Sequence, residues 1–334
     1  MRLAAMALLG TLSAPAWAQD CPAPVDPVLK LDFDSRYQAD DPTRSTLDKQ
    51  AEAEAVAALD PLDDFLRLQA DRAEAMLKAE GDARRAHADC LIGHLAHWAR
   101  ADALADQRSE TVRLTIGSRL AAAAVVARAA IPHTTDYQGL DLTRVWLGRR
   151  VEEQMTFWEG APDGAAQGNL RAWAAMAAAA TADMLNDPVM RGWAAWSTVY
   201  ILCTADTEGA LPQEMARGRL ALHYQLHALA PISATALLLE RQGLSVRDRC
   251  GGALERVARF ALGDLETGAA SAALSGETQS FFDGSDDKLQ DFQLAWLEPY
   301  IALTADPLAE SLAAPRRPLS FSKLGGNQTL LWAP

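Results

Sequence analysis

Apolar residues recur every three to four positions through most of this chain, the spacing that places them on one face of an α-helix. From Asp60 onward, Leu62, Phe65, Leu66, Met76 and Leu77 form such a stripe, and Gly81 closes it. Asp60 followed by Pro61 reads as a helix start. Aspartate caps free amides, proline fits the first helical position, and Asp63 and Asp64 suit the positive end of the helix dipole. Further helices are predicted over 83–104 (stripe Leu91, Leu95, Trp98), 109–131 (stopping at Pro132), 142–158, 170–185, 189–203, 213–229, 232–242, 246–262 and 288–303. Asp187-Pro188 repeats the capping pattern. The alternation expected of strands is nearly absent, so the fold class is all-α. Mid-length helices joined by short turns suit antiparallel hairpins, which stack into a bundle, a solenoid or a toroid. No fixed-period repeat runs through the chain, which demotes a regular solenoid. No Pro- or Ser-rich linker divides it, so 19–334 reads as one domain. Residues 276–287, acidic and polar with glycines, read as a surface loop.

The first eighteen residues stand apart. Met1-Arg2 is a short basic start, Leu3 to Leu12 is apolar, and Ala16-Trp17-Ala18 is an A-x-A cleavage site. This is the pattern of a secretory signal peptide, with an apolar run too short to span a bilayer. The expected product is periplasmic or secreted, without membrane insertion. Loss of Arg2 with the leader takes the net charge from −13 to −14. Such an acidic chain is not built for nucleic acid or anionic membranes, which require a basic face. The four cysteines, Cys21, Cys90, Cys203 and Cys250, suit disulfides in an exported protein, with three possible pairings.

His94 and His97 share a helix face, but no matched acidic ligand accompanies them, so a solvated or packed helix face is expected and no metal site is assigned. No phosphate-binding glycine loop or G-x-S-x-G elbow is present. The chemistry concentrates in Arg217, His223 and Tyr224, placed by periodicity in one predicted helix. Seven residues is close to two turns, so Arg217 and Tyr224 share a face there. A cation beside a phenol suits β-elimination of a uronate. The C5 hydrogen becomes acidic only when the neighbouring carboxylate is neutralised. A base then removes it, and an acid protonates the departing oxygen.

Motifs along the chain extend this reading. Leu211-Pro-Gln-Glu-Met-Ala-Arg217-Gly-Arg-Leu-Ala-Leu-His223-Tyr224, with Asn169-Leu170 upstream, resembles the active-site segments of the family 5 polysaccharide lyases, the alginate lyases. Asp34-Ser-Arg36-Tyr37 with Arg44-Ser-Thr46-Leu47 resembles that family's lid region, and the segment from Cys90 to Leu104 its second helical segment. Ile116-Gly117-Ser118, Ala295-Trp296-Leu297-Glu298-Pro299-Tyr300 and Leu324-Gly325-Gly326 are similar to later motifs, in family order. The resemblance implies an (α/α) barrel or toroid with a deep cleft and a lid. It implies an acidic polysaccharide as substrate, no cofactor, and a chain taken to act as a monomer. It implies catalytic roles for Tyr224, Arg217 and Asn169, with Arg36, Tyr37, His223 and Trp173 contacting substrate. It also implies a Cys21–Cys90 disulfide; Cys203 and Cys250 are left open. Leu170 departs from the family, which has histidine there. Leucine neither accepts a proton nor donates a hydrogen bond. Losing one positioned acid–base group typically costs about 10²–10⁴-fold in rate. Two functions follow: a lyase that tolerates Leu170 and prefers mannuronate linkages, or a lyase-like protein that binds polysaccharide without cutting it.

Overall fold

A computed structural model describes residues 21–333; the leader assigned to 1–18 lies outside them. The described chain is helical, with four two-residue strands. Its α-helices are α1 Lys49–Lys78, α2 Gly81–Arg100, α3 Glu110–Thr115, α4 Gly117–Ala130, α5 Tyr137–Glu159, α6 Asp163–Ala166, α7 Asn169–Leu185 and α8 Pro188–Leu202. They continue with α9 Pro212–Met215, α10 Ala221–Arg241, α11 Arg249–Asp264, α12 Ala269–Ser275, α13 Leu297–Thr304, α14 Pro307–Ala313 and α15 Gln328–Leu331. Strand β1 Lys30–Leu31 pairs in parallel with β2 Asp106–Gln107, and β3 Ser320–Phe321 pairs antiparallel with β4 Gly326–Asn327.

Helix α7 is the hub, packed against α4, α5, α8 and α10. Its run Ala172–Ala182 is buried on every side. Small side chains allow neighbours to approach from all directions, which a one-faced helix could not. Around it, α1 pairs with α2 and α4, α2 with α5, and α10 with α11 and α13. Two disulfides join Cys21 to Cys90 and Cys203 to Cys250, so the pairing left open is settled. His94 is buried, with Nε2 2.9 Å from the Pro22 carbonyl oxygen, and so packs against the N-terminal tail.

Several boundaries differ from the periodicity reading. Helix α1 starts at Lys49, capped by the Asp48 carboxylate on Gln50 and Ala51, and runs through Pro61. The Ala- and Glu-rich stretch before Pro61 propagates helix strongly enough to absorb one missing N–H. At Asp187-Pro188 the identical signal does open a helix. The predicted 109–131 helix breaks at Ile116 into α3 and α4. Pro231 does not separate two helices but lies within α10. Cys250, Gly251 and Gly252 take left-handed φ values of 52°, 66° and 72°, so regular helix begins only after the disulfide. Arg217 is not on the helix of Tyr224: it lies in the turn after α9, before a 3₁₀ segment at Gly218–Leu220.

Candidate active site

Residues 36–48 form a hairpin: Tyr37 bridges Leu47, Gln38 N–H donates to Thr46 O at 3.0 Å, and Asp48 N–H donates to Arg36 O at 2.9 Å. The carboxylate of Asp41 ties its tip, accepting from the N–H groups of Thr43, Ser45 and Thr46 at 2.8–2.9 Å. The Thr43 hydroxyl and these amides hold Asp41 well below the ordinary carboxylate range. The hairpin lies on α10, where the Tyr37 hydroxyl is hydrogen-bonded to the Tyr224 hydroxyl.

Arg217 fastens this arrangement. Its Nε donates to Thr43 O at 2.9 Å and its Nη2 to Arg44 O, while the guanidinium lies 3.7 Å from the Tyr224 ring centroid and 5.1 Å from that of Tyr37. The shared face expected on one helix is thus reached by another route. Gly218, with φ 55°, turns the chain back toward α10; a Cβ there would sit 2.5 Å from Glu277 Oε1.

The two phenols titrate as a pair with opposite shifts. Burial pushes Tyr37 up, but Arg36, the hydrogen bond with Tyr224 and Arg217 outweigh it and leave Tyr37 below the ordinary value. Burial raises Tyr224, and Tyr37 raises it further against Arg217 and Arg36. One negative charge shared by the two oxygens, between two guanidinium groups, is what the surroundings favour. Arg36 donates to the Tyr37 hydroxyl at 3.2 Å.

Asn169 opens α7 and is 3% exposed. Its backbone N–H and Nδ2 both donate to the carboxylate of Glu214, at 2.7 and 2.9 Å. Glu214 is fully enclosed, and burial pushes its carboxyl up to about 7 against Asn169 and Arg217. Trp173 is 1% exposed, so its ring faces are covered by protein; its indole N–H donates to His227 Nε2 at 3.0 Å. His223 takes a hydrogen bond at Nδ1 from Gln293 Nε2 at 3.2 Å, and burial pushes it down to about 4, so it is neutral near pH 7. Leu170 is partly buried at the start of α7. Arg171, beside it, points away from these groups. It donates to Ser197 Oγ at 3.1 Å and lies 4.6 Å from the ring centroid of Trp196.

The structure therefore joins Arg36, Tyr37, Arg217 and Tyr224 directly and links Asn169 to them through Glu214. Three further residues belong here that sequence reasoning assigned no role: Glu214, His227 and Lys323. Glu214 lies inside the motif quoted above, and His227 is one turn beyond Tyr224, so both were within reach of helical spacing. Lys323 was not, because it comes from the far end of the chain. Gly325 and Gly326, at φ 90° and 101°, press that segment against α4 and α1; Cβ atoms there would meet Val125 at 2.7 Å and Ala70 at 2.9 Å. Burial, then Arg119, depresses Lys323 to about 7, with Arg36 adding and Asp63 opposing. A chain of net charge −13 thus gathers Arg36 and Arg217 around Tyr224, with Lys323 near enough to act on His223 and His227. The set suits a substrate carrying a carboxylate beside an acidifiable C–H bond.

Comparison with known proteins agrees with this picture. The model of the alginate lyase family matches residues 110–270. An alginate lyase of Pseudomonas putida is 29% identical over 315 residues, covering 91% of this chain and 83% of that protein. Those of Pseudomonas syringae pathovar tomato and Cobetia marina are 27% and 26% identical, each over 91% of this chain and 80% and 81% of their own lengths. Among solved structures, alginate lyase A1-III with a His-to-Ala substitution, complexed with tetrasaccharide, superposes with a TM-score of 0.81 at 20% identity, covering 97% of this chain and 88% of that one. Alginate lyase A1-III from Sphingomonas species A1 gives 0.74 at 20% identity, over 94% and 87%. The shared fold is an (α/α) toroid.

Proposed function

Since the chain belongs to the alginate lyase family, the family 5 polysaccharide lyases, we propose that it is an exported lyase cleaving a mannuronate-rich uronate polymer by β-elimination. The observation that carries this is the Tyr224 phenol, held between the Arg217 guanidinium and the Tyr37 hydroxyl. Tyr224 passes its hydroxyl proton to the Tyr37 phenolate as it accepts the C5 proton, the C5–H electron pair forms the C4=C5 double bond, and the C4–O4 bond breaks. O4 leaves with the proton that Tyr224 returns, so no water is consumed and the phenolate is regenerated. Arg36 and Arg217 stabilise the anionic tyrosine pair, and Tyr37 relays charge across its hydrogen bond with Tyr224.

Leu170 bears on substrate choice. In mannuronate the C5 hydrogen and O4 lie on one side of the ring, so a single tyrosine can act as base and then acid. In guluronate they lie on opposite faces and a separate base is needed, which leucine cannot be. The leader sequence and the disulfides support export. The second reading, a protein that binds polymer without cutting it, is favoured by one observation. Nε and Nη2 of Arg217 and the amide of Asn169 are already engaged by the hairpin and by Glu214.

Ultraviolet absorbance of the unsaturated uronate product decides between them. Wild type is expected to release product from polymannuronate and Tyr224→Phe to lose it. A flat trace for wild type on every uronate polymer, with binding retained, overturns the lyase reading.

A further inference from the structure

The structure fixes the tautomer of His227. Helix α10 carries His223, Tyr224 and His227 at positions i, i+1 and i+4, so His227 is the next-turn neighbour of both. Its ring centroid is 6.1 Å from that of Tyr224 and 6.3 Å from that of His223. The Trp173 indole can only donate a hydrogen bond, so the Nε2 atom it reaches at 3.0 Å must present a lone pair. A neutral imidazole with its lone pair on Nε2 carries its proton on Nδ1.

Burial, then Lys323, His223, Arg36 and Arg217, press the ring well below its ordinary pKa, so it stays neutral. Among the described residues, Nδ1 has no hydrogen-bond partner, although the side chain is more than half buried. Nδ1 is not fully enclosed, so its N–H is open to solvent and free for an acceptor that enters the site. The strongest charges acting on it are cationic, which marks the space as one that favours an anion.

We propose that His227 is a further substrate-contacting residue, whose Nδ1–H hydrogen-bonds the uronate carboxylate and supplies a donor that Leu170 cannot. This rests on the lyase reading above. Residue 170 and Trp173 are three apart on α7, on one side of that helix, so a histidine at 170 and His227 approach the same region from two helices. The contact strengthens as C5 loses its proton, because charge then accumulates on the carboxylate. A neutral donor gains from that without holding the product as a cation would. Trp173 is the positioning residue, acting only through the tautomer it imposes.

The test uses the mature protein. Asparagine presents an N–H close to where Nδ1 lies, and phenylalanine keeps the ring without it. His227→Phe is expected to lower kcat on polymannuronate by roughly 10²-fold, with KM little changed. His227→Asn is expected to recover most of that loss, and Leu170→His in the His227→Phe background part of it. Nitrogen-15 NMR of wild type is expected to show His227 protonated on Nδ1 alone from pH 5 to 8, a signature lost in Trp173→Phe. A folded His227→Phe with wild-type kcat, a His227→Asn as impaired as His227→Phe, or a wild-type His227 protonated on Nε2 overturns the proposal. Should wild type release no product, the lyase reading fails by itself. The contact is then read from mannuronate-oligosaccharide affinity, which must fall in His227→Phe and return in His227→Asn for the proposal to stand.

Discussion

Asn169 gives both of its nitrogen donors to one carboxylate: its backbone N–H lies 2.7 Å from Glu214 Oε1 and its Nδ2 2.9 Å from Oε2. Glu214 thereby fixes the first turn of α7 and the amide assigned to substrate neutralisation. Gly168 is needed beside it, because a Cβ there would sit 2.8 Å from Glu214 Oε1.

The buried Glu214 makes stability depend on pH. Its carboxyl is raised from 4.5 to about 7, so the folded state holds a proton that the unfolded state has released between those values. Its contribution is fully present below pH 4.5 and lost as pH rises through about 7. A shift of that size corresponds to at most about 3 kcal/mol. Denaturant unfolding of wild type and Glu214→Gln should therefore show their stability difference moving against wild type by that order between pH 4.5 and 7. A pH-independent difference defeats the assignment.

Arg217 latches the hairpin through the carbonyls of Thr43 and Arg44. Lysine cannot reproduce a planar fork that also stacks on Tyr224. Arg217→Lys should loosen the hairpin by about 2 kcal/mol, seen as tryptic cleavage after Arg44 accelerated by roughly tenfold or more. The same variant should lose most of its lyase activity.

Leu170→His restores the group that the family resemblance places there. It should raise activity on polyguluronate more than on polymannuronate, by roughly tenfold or more, given that one positioned acid–base group is worth about 10²–10⁴-fold. Equal wild-type rates on the two polymers would remove the stereochemical basis of this expectation.

The Cys21–Cys90 disulfide closes a separation of 69 residues that includes the whole hairpin. Loop-closure entropy puts its contribution at about 4 kcal/mol. Cys90→Ser should lower the thermal midpoint by several degrees, measured against wild type under non-reducing conditions.

The sequence alone determined the helical class, most helix centres and the order of the motifs, because helical spacing and caps are local properties written within a few turns. It also placed Arg217 beside Tyr224, though by the wrong geometry: a shared helix face was expected, and a glycine turn with a stacked guanidinium was found. Only the tertiary structure decided where helices break. Asp60-Pro61 and Asp187-Pro188 look alike in sequence, yet one lies inside α1 and the other starts α8, since the preceding residues and their packing choose between them. Only the fold could add Lys323 to the site and set the His227 tautomer, because Lys323 arrives from the opposite end of the chain and the tautomer depends on Trp173 of another helix. The pKa values followed the same rule. Burial dominates those of Glu214, His223, His227 and Lys323, and burial is a property of the whole packed chain that no local pattern contains.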